Sequence, residues 1–143
     1  MGLVIAGGRK TQSGPYLDNV ERSLDHGATF QELPNLPNKI IALCLVIVDS
    51  ERIFTAGGYK GPALNNAYML NLTESEKGWK ELQSMSFPRF RHACGKVGPE
   101  NVAKKIVVVG GCNDGSCQTQ TRLKSVEIYT VDSGSWENGK HGL

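Results

Sequence analysis

The chain has 143 residues, with 16 basic and 14 acidic side chains, a formal charge of +2 and 39% hydrophobic residues. That is the length of one ordinary domain with enough apolar material for a moderate core. No basic block is longer than Lys104-Lys105, which argues against nucleic acid as a partner, and the longest apolar run, Ile40 to Val48, falls well short of the roughly 18 residues of a membrane span.

The N-terminal "MGLVIAGGRK" lacks the basic region and the longer apolar stretch of a signal peptide, so a cytoplasmic location is expected. Leu3-Val4-Ile5-Ala6 then runs into Gly7-Gly8, and a polar loop follows, "RKTQSGPYLDN". The alternating "VERSL" predicts a strand with one face buried. "SLDHGATF" predicts a tight turn, with Asp25 capping backbone N–H groups, Gly27 supplying a positive φ and Phe30 as anchor. "FQELPNLP" ends the first copy in prolines.

The second copy reads "IIALCLVIV", a turn at Asp49-Ser50-Glu51, "RIFTA" and then Gly57-Gly58. The loop "YKGPALNN", the alternating "AYMLNL" and the aromatic stretch "WKELQSMSFP" complete it. Asn71 in "NLT" matches a glycosylation sequon, but in a chain read as cytoplasmic it is a polar turn residue. The third copy reads "RHACGKVG", a turn at Pro99-Glu100-Asn101, "KKIVVV", Gly110-Gly111, the loop "CNDGSCQTQTRLK", "VEIYTV" and Trp136 followed by a stub.

Cys44 and Cys94, inside strand-like runs, are expected as small buried packing residues. Cys112 and Cys117 share a loop that accommodates either two free thiols or a small disulfide. His92 is expected to be packed or hydrogen-bonded at a strand start, with His26 and His141 solvated.

The first glycines of the doublets stand at 7, 57 and 110, spacings of 50 and 53 residues, and Phe30, Trp79 and Trp136 follow them at a similar phase. Four strands in about 50 residues is the period of kelch repeats. The chain resembles the kelch family in Gly57-Gly58, Tyr68 and Trp79, and again in Gly110-Gly111, Tyr129 and Trp136. The first copy departs from that pattern, with Ser23 near the tyrosine position and Phe30 for tryptophan, and Tyr68 is offset by about two positions from Tyr129.

The resemblance implies an all-β fold of kelch-type β-propeller blades, four-stranded antiparallel sheets in an incomplete ring. Blade 1 spans about 1–38 without its first strand, blade 2 about 39–88 and blade 3 about 89–143. Propellers take about four to eight blades. Further blades in the same protein, or less readily a homo-oligomer, would therefore complete the ring. The doublets and aromatics are read as architecture, the rings filling the gaps between blades.

No catalytic, cofactor or metal site emerges from the histidines, cysteines and carboxylates, and the chain is expected to be a protein-binding module and not an enzyme. The alternative is a segment of a propeller enzyme, sialidase-like or galactose-oxidase-like, because "SLDHGATF" matches the Asp-box of sialidase-type propellers. By family resemblance, such modules recruit substrates to ubiquitin ligases or bind actin. The kelch face would comprise the loops 9–19, 59–66 and 112–124 and the connections 34–39 and 84–91. Its exposed candidates for a protein partner are Arg9, Tyr16, Tyr59, Lys60, Arg89, Arg91, Asn113 and Arg122, a set suited to an acidic segment.

Overall fold

Short alternating runs can bury one side only by stacking in sheets, and the computed structural model, which describes residues 2–99 and 104–140, places them in three. The first sheet holds β1 (Leu3–Ala6), β2 (Val20–Ser23) and β3 (Gln31–Leu33). The second holds β4 (Cys44–Ile47), β5 (Arg52–Ala56), β6 (Ala67–Asn71) and β7 (Lys80–Glu81). The third holds β8 (Ala93–Val97), β9 (Lys105–Val109), β10 (Val126–Thr130) and β11 (Ser135–Asn138). Every pairing is antiparallel between consecutive strands, the meander of a propeller blade, and the three blades form no closed ring. His141 and most of the Pro99-Glu100-Asn101 turn lie outside the described residues.

The third copy does not stop in a stub. Ser135–Asn138 forms a full fourth strand, registered so that Trp136 stands opposite Tyr129. The segment after β6 is a 3-10 turn over Leu72–Lys77, and the Asn71 side chain caps it by accepting from the Thr73 backbone N–H at 3.0 Å and hydroxyl at 2.8 Å.

Backbone bonds from the first glycine of each doublet align the copies: Gly7, Gly57 and Gly110 donate to Asn19, Asn66 and Ser125. In that frame Tyr68 corresponds to Glu127, and Tyr129 to Leu70, which explains the offset tyrosine. Both side chains at the first position turn toward the connection that precedes their own blade. Tyr68 accepts from Asn38 at 3.5 Å, and Glu127 accepts from the backbone N–H groups of Ser86 at 2.6 Å and Phe87 at 3.4 Å.

Blades pack through two apolar clusters. Phe54, Met85, Ile106, Val108 and Tyr129 are buried between the second and third sheets, and Trp136 lies 6.2 Å from Phe54 and 5.1 Å from Tyr129, centroid to centroid. Val20, Leu36, Ile40 and Leu64 join the first and second, with Trp79 packed against them. Each indole N–H also reaches back one blade: Trp79 donates to the Pro34 carbonyl at 2.9 Å and Trp136 to that of Gln83 at 2.6 Å. Phe30, the equivalent ring of the first blade, is 43% exposed.

Cys44 and Cys94 are not separate packing residues. They are bonded to each other across the inner strands β4 and β8, with Cα atoms 5.8 Å apart, and Cys112 is bonded to Cys117.

The doublets explain how close the blades can come. At Gly57, with φ of 67°, a Cβ would lie 2.5 Å from the Arg89 carbonyl oxygen of the next blade's connection; at Gly7, with φ of 64°, it would lie 2.6 Å from that of Ile40. The same two carbonyls accept hydrogen bonds from the second glycines, Gly58 and Gly8, at 2.9 Å. Gly57→Ala therefore meets both a left-handed backbone and a fixed carbonyl. It should lower unfolding free energy by about 2–4 kcal/mol in urea titrations, whereas alanine at Gly78, which has open space, should incur only the smaller backbone penalty.

Candidate recognition face

The loops that follow the doublets fold back against the connections between blades. Isolated bridges join Ile41 to Tyr59, Tyr59 to Ala63, Phe90 to Cys112 and Cys112 to Arg122. Residues far apart in sequence thereby come together at one end of the blades. Arg9 lies over the Tyr16 ring with its guanidinium carbon 4.9 Å from the centroid. Tyr16 meets Tyr59 edge-on at 6.5 Å, Tyr59 packs on Phe90 at 4.9 Å, and Arg91 lies 5.7 Å from the Phe90 centroid. The result is a row of rings bounded by an arginine at each end. Such aromatic pairs are worth about 0.5–1.5 kcal/mol each, and exposed cation–π contacts about 0.5–1 kcal/mol.

Arg9, Lys60, Arg91, Asn113 and Arg122 are exposed, and Tyr16 and Tyr59 are half-buried. Lys60 donates to the Asn38 side chain at 3.0 Å, and the Asn113 backbone N–H donates to the Thr121 carbonyl at 3.3 Å. Gly115 in the disulfide-closed loop abuts Tyr59: a Cβ there would lie 2.8 Å from the phenol oxygen. Among the described residues, none of Arg9, Lys60, Arg91 and Arg122 is paired with a carboxylate. Asp114, the acid of the third loop, turns into its own turn, accepting from the N–H groups of Ser116 and Cys117 and from the Ser116 hydroxyl. These bonds, the Ser116 hydroxyl first, hold its carboxyl below the usual range.

Arg89 is a correction. Expected on the exposed face, it is wholly buried and ion-paired to the equally buried Glu127 at 2.6 Å. It also donates to the carbonyls of Gly110 at 2.9 Å and Ser125 at 3.3 Å and to the Ser125 hydroxyl at 3.0 Å. Its neighbour Phe90, overlooked in the sequence, takes the place in the aromatic row. The signal was present in "RFRH", an aromatic between two arginines, but sequence alone does not show which arginine turns inward.

His92 lies beside Gly57, its Nε2 3.0 Å from the Ala56 carbonyl oxygen, and burial pushes its pKa down to about 4. The Asp-box turn closes on itself. Asp25 accepts from the Thr29 hydroxyl at 2.6 Å, the Thr29 N–H at 2.9 Å and the Ser23 hydroxyl at 2.8 Å, which lowers its carboxyl to about 2, and Gly27 has φ of 90°. At the other end of the blades, Asp49 bridges Arg52 at 2.7 Å and Lys104 at 2.6 Å. Its burial alone would raise its pKa, but hydrogen bonds from the two cations outweigh that and hold the carboxyl well below the usual range. No group of three or more His, Cys, Asp or Glu side chains is arranged to hold a metal among the described residues.

Fold and sequence together define a kelch-type propeller segment, and residues 93–140 match the Kelch motif. The chain is 29% identical over 120 residues to a tRNA wybutosine-synthesizing protein 4 from Eremothecium gossypii, the match covering 77% of this chain and 16% of that protein. It is 33% identical over 114 residues to the protein of the same name from Aspergillus fumigatus, covering 78% of this chain and 10% of that one. A fungal alcohol oxidase of the AA5 family, solved in complex with copper, shares the fold with a TM-score of 0.69 and 21% identity, over 90% of this chain and 30% of that one.

The chain thus spans only about a sixth and a tenth of the two curated relatives. The relatives' names overturn the expectation of a protein that is not an enzyme, since both are named for a biosynthetic activity. They offer no support for the ubiquitin-ligase or actin-binding roles implied by family resemblance. At 21% identity, the AA5 likeness is one of fold.

Two predictions concern the buried groups. Arg89→Met leaves Glu127 buried without its cation and should cost about 3–5 kcal/mol in urea unfolding, much of it recovered by adding Glu127→Leu. His92 binds a proton near pH 6.5 when unfolded and only near pH 4 when folded, so the unfolded state takes up more protons between those values. Stability should fall by up to about 3 kcal/mol as pH drops through that window. Thermal melts should show His92→Gln with a flatter profile there, while Asp25 and Asp49 act only at lower pH.

Proposed function

We propose that this chain is the propeller segment of an enzyme that takes part in making wybutosine in tRNA, and that its doublet-side loops form that enzyme's recognition face. One observation carries the reading: two curated proteins sharing that name match over three quarters of the chain at 29% and 33% identity. In this reading the blades span about 1–38, 39–88 and 89–143, and further blades of the same protein cover the first sheet. Leu3, Ile5 and Phe30 on that sheet are between 43% and 48% exposed, an apolar surface that suits another blade.

A kelch motif also suits a protein partner, and the unpaired arginines of the face would accept an acidic segment.

The test is disruption of the gene in its source organism followed by mass spectrometry of nucleosides from total tRNA. Wybutosine should disappear and return when the intact gene is restored. Unchanged wybutosine would overturn the proposal.

A further inference from the structure

We infer that the doublet-side face binds single-stranded RNA, its exposed arginines and half-buried tyrosines stacking on bases and its outer cations contacting phosphates. The inference rests on the tRNA reading above and names the ligand of the face. Arg9, Lys60, Arg91 and Arg122 come from four separate stretches of chain, all exposed and none paired with a carboxylate among the described residues. The near-neutral composition hides this: Glu127 is buried with Arg89 and Asp49 is at the opposite end with Arg52 and Lys104, while the acids of the face loops, Asp18 and Asp114, are outnumbered by the four exposed cations.

Charge alone would suit an acidic peptide as well as RNA. The interleaved rings discriminate between them. A carboxylate chain can use the phenol hydroxyls as hydrogen-bond donors but not the ring faces, whereas an unpaired nucleotide carries both a phosphate for the cations and a flat π-face for the rings. Arg9 already lies over Tyr16, with its guanidinium carbon 4.9 Å from the ring centroid and its Nη1 donating to the Gln12 carbonyl at 2.6 Å, and the side chain is exposed to an incoming base. The platform is also rigid. Tyr59 is pinned by bridges to Ile41 and Ala63 and abutted by Gly115, and Phe90 lies beneath it at 4.9 Å. Little side-chain freedom remains to be lost on binding. The left-handed backbone at Arg91, with φ of 53°, belongs to the repeat, since Ala42 has φ of 54° at the corresponding place and the two are joined by a hydrogen bond of 3.0 Å.

The test is fluorescence anisotropy of the intact protein with a labelled 12-nucleotide single-stranded RNA, repeated across salt concentrations and in competition with poly-L-glutamate. Four phosphate contacts on a single strand predict a slope of log affinity against log salt of about −3. Arg9→Ala with Arg91→Ala should weaken binding about 10- to 100-fold, and Tyr16→Leu about 5- to 100-fold, the scale of one lost base stack. Arg9→Lys, which keeps the charge but not the flat plane, should restore the salt slope without restoring full affinity.

No RNA binding, or binding that the arginine pair leaves unchanged, would overturn the inference and leave the enzyme reading standing. Preference for poly-L-glutamate through the same residues would also overturn it, in favour of an acidic protein partner. Unchanged wybutosine after gene disruption would count against the enzyme reading instead.

Discussion

The whole arrangement depends on two carbonyl oxygens that occupy the places where side chains would begin. The Ile40 and Arg89 carbonyls lie 2.6 and 2.5 Å from the positions a Cβ would take on Gly7 and Gly57, and each accepts a hydrogen bond from the following glycine. Only a residue with no Cβ and a tolerated positive φ permits that approach. The second glycine makes a corresponding approach within its own blade: a Cβ on Gly111 would lie 2.6 Å from the Phe90 carbonyl, and one on Gly58 3.2 Å from that of Ile41. A doublet is thus two contacts, the first residue facing the next blade and the second facing its own. At Gly8 and Gly110, where no such strand or connection lies among the described residues, no contact of this kind forms.

Once backbones are fixed at that distance, the rest of each interface must fill the space beside them. Trp79 and Trp136 do so in the same way, ring against the apolar cluster and N–H to a carbonyl of the preceding blade. One position deeper, the blades diverge. The second blade reaches its own connection with a phenol, Tyr68 toward Asn38, while the third uses a buried carboxylate, Glu127, bound to Arg89 and two backbone N–H groups. A neutral contact and an ion pair thus occupy equivalent places. The ion pair has the larger desolvation cost and in return orders the Ser86–Arg89 connection through several hydrogen bonds. It follows that Arg89 is committed to the architecture while Arg91, two residues on, is free to face solvent.

That division marks where sequence reasoning succeeds and where it stops. The doublets, the phased aromatics and the alternating runs are local in sequence, so the all-β kelch blades were legible from "IFTAGG", "IVVVGG" and the rings that follow them. The full fourth strand at Ser135–Asn138 was missed because its residues are mostly polar, and only the pairing with β10 defines it. Cys44 and Cys94 read as isolated packing residues because their bond spans 50 positions, one repeat length, and forms only when inner strands of neighbouring blades face each other. Arg89 and Arg91 share composition and exposed-looking neighbours. What separates them is a carboxylate 38 residues away on β10.

The proposed recognition face extends the same lesson from packing to charge. A chain of near-zero net charge with no basic run gives little reason to expect a polyanion partner, and for a helical or disordered binding region that reasoning would hold. A propeller breaks the link between linear and spatial clustering, because each blade contributes one loop to the same end and one or two cations per loop are enough. Few acids remain on the face: Glu127 is sequestered in the core and Asp49 lies at the far end of the strands, which leaves Asp18 and Asp114, the latter bound into its own turn, against four exposed cations. A repeat fold can thus separate charge along the blade axis without leaving a mark in any sequence window. The doublets that bring the blades close are also what bring Tyr16, Tyr59 and Phe90 into one row, so the geometry of that row depends on the same glycines as stability does.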